Sequence, residues 1–279
     1  MAASDHPHHE SAHPEETRLV AVPGRRLALT VSGAGGPTVV LETGLEAPSE
    51  AWQPVQEAVA GVTRVVRFDR AGRGQSDPAP TPRTCDDMVA DLRALLRAAD
   101  IPPPYVLVGN SLGGMNARLY AHRHPDEVVG LVLVDAAHQD QFARIGGAMP
   151  PAEVLPEAAR GFHAFWAGGG WRDPANNREG VDFVASGAQL REISTLGELP
   201  MTVLVSGAFL QQGGHSPGAR QLHALWVELQ RELAGLSAAA ELRVLEASGH
   251  FIQQDQPGVV ADAIRDVIEA ASRERGTTP

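Results

Sequence analysis

Apolar residues along this chain gather into short runs separated by stretches of helical period. Residues 18–22 and 27–31 read as two strands divided by Pro23, Gly24 and two arginines, a turn signal, and so as an opening hairpin. Residues 38–41, 64–68, 105–108, 128–134, 201–205 and 242–245 are nearly continuous apolar runs, the pattern of strands covered on both faces of a parallel sheet. Between them lie helical patterns with recognisable ends. Thr84 followed by Asp87 is a capping-box start, after which Met88, Leu92, Leu95, Leu96 and Ala99 share one helix face. Ser216 and Pro217 open a second helix with the stripe Leu222, Leu225, Trp226, Leu229 and Leu233. A third begins near Pro257 and buries Val259, Val260, Ala263, Ile264, Val267 and Ile268. Strand alternating with helix after a hairpin predicts an α/β fold, a mostly parallel sheet with helices on both faces.

Residues 139–199 break this alternation, with no strand pattern and a glycine cluster at Gly168, Gly169 and Gly170. A structureless loop of that length is improbable inside a compact domain, so the segment is expected to be an inserted cap of short helices over one end of the sheet. The organisation expected is a tail over 1–16, one core domain built from 17–138 and 200–279, and the cap over 139–199. Phe142, Phe162, Phe165, Trp166, Trp171 and Phe183 fall in the cap. They have two possible uses, lining an apolar substrate pocket or forming the cap's own small core.

Composition narrows the partners. A net charge of -11 argues against nucleic acid and anionic membrane surfaces, and favours a neutral or weakly charged small molecule. The single cysteine, Cys85, allows no intramolecular disulfide, and no residue near it in sequence is placed to act as its base. No apolar run suits a signal peptide or a membrane span, so a cytoplasmic protein is the expectation. The tail carries His6, His8, His9 and His13 among prolines and acidic residues, a composition read as flexible and polar before it is read as metal-binding. Outside the tail no metal-ligand spacing occurs, and no cofactor is expected.

The chemistry concentrates where the buried strand 105–108 runs into Gly109-x-Ser111-x-Gly113 and then a helix starting near Leu112. This is the nucleophile-elbow pattern, in which a serine sits on a sharp turn and side chains at the flanking glycines would collide with neighbouring elements. A serine hydroxyl needs a base to take its proton. His250 follows the last strand pattern and precedes the last helix, which puts it on a loop at the same sheet edge as Ser111. His138 and His215 are also on loops and stay open as bases, whereas His122, His124, His163 and His223 fall in or beside helices. The loop at Asp69–Ser76 lacks the lysine and spacing of a phosphate cradle, and its glycines suit a strand-to-helix turn.

These motifs together resemble the α/β-hydrolase superfamily: the elbow, the Asp69–Ser76 loop, the Ser248-Gly-His250 segment and a cap after strand 128–134. The resemblance covers nearly everything after the tail, and implies an eight-stranded sheet and a chain order of Ser, acid, His. The commonest pattern puts the acid after the strand that follows the cap, but the segment Val205–His215 contains no carboxylate. Some branches, including haloalkane dehalogenases, carry it one strand earlier, which points to Asp135 at the end of strand 128–134. Asp135 also suits a capping role, and Asp140 is the alternative acid. An oxyanion hole is expected from the backbone N–H groups of Leu112 and Leu45, with Glu46 beside the pocket and Trp52 a packing residue.

The function implied is acyl transfer from an ester, lactone or thioester to water, with Ser111, His250 and Asp135 as the catalytic set. Serine at the elbow argues against epoxide-hydrolase or dehalogenase chemistry, which needs an aspartate there. A cofactor-free perhydrolase or acyltransferase would use the same triad, and folds of this kind also serve as non-catalytic binding proteins.

Overall fold

Each apolar run becomes a strand whose alternate residues serve two different cores. In a computed structural model, which describes residues 15–208 and 217–276, the strands are β1 (Glu16–Val22), β2 (Arg25–Ser32), β3 (Thr38–Glu42), β4 (Val65–Phe68), β5 (Tyr105–Asn110), β6 (Val128–Val134), β7 (Met201–Ser206) and β8 (Ala240–Leu245). They form one eight-stranded sheet in the order β1-β2-β4-β3-β5-β6-β7-β8. β1 and β2 pair antiparallel, as does β2 with β4, and every later pairing is parallel. The expected mostly parallel sheet with helices on both faces is therefore the fold observed.

The helices are α1 (Gln53–Val59), α2 (Cys85–Ala98), α3 (Leu112–Arg123), α4 (Gln141–Ala148), α5 (Glu157–Trp166), α6 (Phe183–Arg191), α7 (Pro217–Ala234), α8 (Ile252–Asp255) and α9 (Pro257–Gly276). Val39, Leu41, Val106, Val108, Val132 and Val134 pack with Trp52 and with Val260, Ile264 and Val267 of α9 on one face. Val40, Leu107, Leu131, Leu133 and Val203 pack on the other face with Leu92 and Leu96 of α2, Leu119 of α3 and Trp226 of α7. The period of two inside each apolar run thus feeds two cores, as a sheet covered on both sides requires. The capping box at α2 forms as read: Thr84 accepts from Asp87 N–H, and the Asp87 carboxylate accepts from Thr84 N–H at 2.8 Å.

Two elements differ from the sequence reading. β1 starts at Glu16, earlier than the apolar pattern begins, because Thr17 Oγ1 bonds Thr30 Oγ1 across the hairpin and Glu15 pairs with Arg67 at 3.0 Å. The disordered tail expected over 1–16 thus loses its last two residues to the fold, and residues 1–14, with their four histidines, lie outside the described residues. β8 is one of the two edge strands and is only half-buried, so it lacks the full cover that the sequence pattern predicts.

Between β6 and β7, residues 139–199 hold α4, α5, α6 and three short 3-10 turns, with one isolated bridge between Val181 and Arg83. Arg83 N–H donates to Gly180 O and Asp182 N–H to Arg83 O, which fastens this insertion to the loop leading into α2. Among the described residues no helix is long and apolar enough to cross a membrane.

Candidate active site

Three strand ends of the sheet bring the chemical groups together. Ser111 stands between β5 and α3 with φ 52° and ψ −117°, a strained conformation held by its surroundings. Its N–H donates to Val134 O at 3.3 Å and its carbonyl accepts from Ala137 N–H at 2.9 Å. The flanking glycines are required by contact. A Cβ on Gly109 would lie 2.3 Å from Gly113 O, and a Cβ on Gly113 would lie 2.3 Å from Glu42 O. Ser111 keeps intermediate exposure, so its hydroxyl can meet a ligand.

Asp135 follows β6 with φ 45° and is fully buried. Its Oδ2 lies 2.7 Å from His250 Nδ1. The same carboxylate accepts from Ser206 N–H at 2.9 Å, Ser206 Oγ–H at 3.1 Å and Trp226 Nε1–H at 2.7 Å. Four donors on one buried carboxylate are what keeping that charge away from water demands. The carboxylate does not cap a helix, which was its other reading. Asp140, the alternative acid, is 2.6 Å from Arg191 Nη2 in α6 and caps α4 without a side-chain bond. The end of β7, which has no carboxylate, contributes Ser206 to hold Asp135 instead.

His250 sits between β8 and α8 with its side chain 15% exposed. Asn110, the residue before Ser111, donates from Nδ2 to both Val134 O (2.9 Å) and His250 O (3.1 Å). One buried amide thus ties the elbow, the strand end before Asp135 and the histidine loop. The loop is braced further by Gly249 N–H on Asp255 at 2.7 Å and Gln256 Nε2 on Ser248 Oγ at 2.6 Å. His138, one of the two other loop histidines, is buried; burial pushes its pKa down to about 4, and its Nδ1 accepts from Asp140 N–H. His215 lies outside the described residues.

The loop after β3 closes the opposite side. A Cβ on Gly44 would lie 3.2 Å from Ser111 Cβ, so the loop passes beside the nucleophile at Gly44, with Leu45 next in the chain. Leu112 is the first residue of α3, where an N–H has no intrahelical acceptor. Buried Arg70, after β4, holds the loop through Thr43 O (2.6 Å), Thr43 Oγ1 (3.2 Å) and Gly44 O (2.7 Å). Glu42, at the end of β3, accepts from Asn116 Nδ2 at 2.5 Å and lies 3.8 Å from Arg70. Burial pushes the Glu42 carboxyl up to about 7, with the Arg70 charge opposing.

Of the expected pocket residues, Glu46 turns its carboxylate to Arg178 N–H at 2.7 Å. Phe142 packs against Phe165, Trp166, Trp171 and Phe183 with ring centroids 4.8 to 5.6 Å apart, while Phe162 stacks on Trp166 and is 42% exposed. These contacts make an aromatic core inside the insertion. Trp52 is a packing residue, fully buried against β3 and α9, and Cys85 is buried with its thiol pushed up to about 12 by desolvation. Among the described residues no group of three or more His, Cys, Asp or Glu is arranged to hold a metal ion.

Trp226, Ser206, Asn110 and Arg70 were not singled out in the sequence as site residues. Trp226 was visible only as one apolar position in a helical stripe, a pattern that says nothing of its indole N–H.

The comparisons agree with this architecture. An uncharacterized protein of Bacillus subtilis (strain 168), YqjL, is 29% identical over 245 residues, 87% of each chain. Among solved structures, potato (Solanum tuberosum) epoxide hydrolase I superposes with TM-score 0.64 at 19% identity, covering 92% of this chain and 100% of that one. A serine hydrolase involved in carbazole degradation superposes with TM-score 0.63 at 20% identity, covering 92% and 100%. The model of the alpha/beta hydrolase fold matches residues 37–199, more than half of the sequence, and the chain belongs to that family.

Proposed function

We propose that this hydrolase-family protein is a serine hydrolase that cleaves an ester, lactone or thioester of a small, mostly apolar substrate through a covalent acyl-enzyme. The observation that carries the reading is the 2.7 Å contact between His250 Nδ1 and fully buried Asp135, on loops tied by Asn110 to the strained turn at Ser111. A carboxylate at Nδ1 holds the proton there and makes Nε2 the nitrogen that accepts the Ser111 proton. Ser111 Oγ then attacks the carbonyl carbon, the oxyanion draws on the N–H groups of Leu112 and Leu45, and the imidazolium returns its proton to the leaving group. Water, deprotonated by the same imidazole, releases the acid and restores Ser111.

In this reading residues 139–199 act as a cap, and its aromatic core together with exposed Phe251 beside His250 favours uncharged acyl groups. The same reading proposes a small-molecule substrate as the partner and a cytoplasmic location. A panel of p-nitrophenyl esters tests the reading. Asp135→Asn is expected to lose roughly 10⁴-fold in kcat, as an acid that sets the tautomer does, and Asp140→Asn at most a few-fold. The reverse ranking would reassign the acid, and no hydrolysis of any ester in the panel would count against the reaction.

A further inference from the structure

The insertion reaches the nucleophile's surroundings through one buried ion pair. Glu179, in the insertion, and Arg70, after β4, are 5% and 4% exposed. Arg70 Nε and Nη2 donate to the two Glu179 oxygens, each at 2.8 Å, in bidentate geometry. The remaining guanidinium hydrogens go to Thr43 O, Thr43 Oγ1 and Gly44 O. All five donors of the guanidinium are thereby used. Glu179 Oε1 also accepts from Glu46 N–H at 2.5 Å. Burial disfavours the Glu179 anion, but the charge and hydrogen bonds of Arg70 outweigh it and hold the carboxyl below its ordinary range.

Both ends of the four-residue stretch from Thr43 to Glu46 are therefore gripped by a single pair. The grip on Gly44 O has a particular geometric consequence. Gly44 O and Leu45 N–H belong to the same planar trans peptide unit, so they point to opposite sides of it. A cation fixed on that oxygen turns the N–H away from Arg70, and it polarises the amide so that the N–H is a stronger donor. Gly44 is also a residue whose added Cβ would meet Ser111 Cβ at 3.2 Å.

We infer that Arg70 is a positioning residue that orients the Gly44–Leu45 peptide as an oxyanion donor, and that Glu179 makes this orientation depend on the insertion being seated. The inference rests on the serine-hydrolase reading for its catalytic consequence, but the latch itself is a property of the uncatalysed protein. An insertion that lifts here to admit substrate, parting the Gly180 and Asp182 bonds to Arg83 beside Glu179, would release Arg70 and loosen the donor. Seating it again would restore the donor with the substrate enclosed.

The experiment uses the full-length protein, Glu179→Gln and Arg70→Lys. Two kinds of readout are needed, one of exchange and one of kinetics. Hydrogen–deuterium exchange of the peptide spanning residues 43–47 is expected to rise about tenfold in both variants, with β5 and β6 unchanged. After active sites are counted with a fluorophosphonate, kcat for a p-nitrophenyl ester is expected to fall roughly 30- to 100-fold with KM within threefold, the size expected for a weakened oxyanion donor. The Ki of a trifluoromethyl ketone, which forms the tetrahedral adduct, should weaken by the same factor as kcat/KM falls. Should Arg70→Lys not fold, the isosteric Glu179→Gln carries both readouts. Unchanged exchange at 43–47, or per-site kcat and Ki within twofold of wild type, would overturn the latch. Wild type that neither labels nor turns over would defeat the hydrolase reading alone. Faster exchange in Glu179→Gln would then still support the latch.

Discussion

Trp226 shows what one hydrogen bond at a buried carboxylate is asked to do. Its Nε1–H and Ser206 N–H supply Asp135 Oδ1 while His250 takes Oδ2, so the indole helps fix which oxygen faces the imidazole. Trp226→Phe keeps the ring packed and deletes the donor. Oδ1 keeps the Ser206 N–H, so the expected cost is about 1 kcal/mol of stability for one donor lost from a buried carboxylate. An activity loss of about tenfold, with KM little changed, should accompany it. Denaturant unfolding and steady-state kinetics on the variant check both, and wild-type values in each would remove Trp226 from the site. Glu42 offers a test by pH. Its carboxyl is raised in the fold from 4.5 to about 7, so the folded state binds the proton more tightly than the unfolded chain. The stability this contributes is fully present below pH about 4.5 and is lost as pH rises through about 7, on the order of 3 kcal/mol at most. Glu42→Gln should flatten the melting temperature across that window and leave the variant the more stable protein at pH 8. A wild type whose stability rises between pH 5 and 8 and follows Glu42→Gln throughout would contradict this.

At the scale of elements, two glycines in helices make opposite predictions. Gly113 lies in the first turn of α3, where an added Cβ would meet Glu42 O at 2.3 Å and Thr43 O at 2.8 Å. Both atoms are backbone of β3 and its loop, so the helix itself must shift. Gly113→Ala is expected to cost about 1–3 kcal/mol and to abolish fluorophosphonate labelling, since Ser111 opens the same helix. Gly161, in the middle of α5, has nothing within 4 Å of an added Cβ. Gly161→Ala should stabilise by about 0.5–1 kcal/mol through helix propensity, with labelling unchanged. Thermal unfolding of the pair reads out both signs. The strands were legible because their apolar runs are read on both faces at once, and the helix starts because caps are local. Edge strands were not: β8 carries the same kind of run as β7, and only the sheet order reveals that one side of it is open.

For the molecule as a whole, legibility tracks sequence separation. The elbow is a five-residue motif, and His250 was placed by its position between a strand and a helix. Asp135 needed the family resemblance, because a carboxylate at a strand end has more than one use. Asn110 and His250, 140 residues apart, meet only through the folded sheet edge, and the Arg70–Glu179 pair spans 109 residues. No local pattern announces such a pair, since a buried arginine and an exposed one look alike in sequence. The insertion was recognised from the loss of alternation, whereas its aromatic residues could not be divided between core and pocket until their ring contacts were known. What joins the sheet to the insertion is therefore polar and tertiary, while what builds each separately is apolar and local.

The central claim is that Ser111 is an activated nucleophile dependent on His250. Intact-protein mass spectrometry after treatment with a fluorophosphonate tests it directly, on wild type, Ser111→Ala and His250→Ala. The expected result is a single adduct on wild type, none on Ser111→Ala, and labelling slowed at least about 10³-fold on His250→Ala. An unlabelled wild type, or an adduct that survives Ser111→Ala, would contradict it.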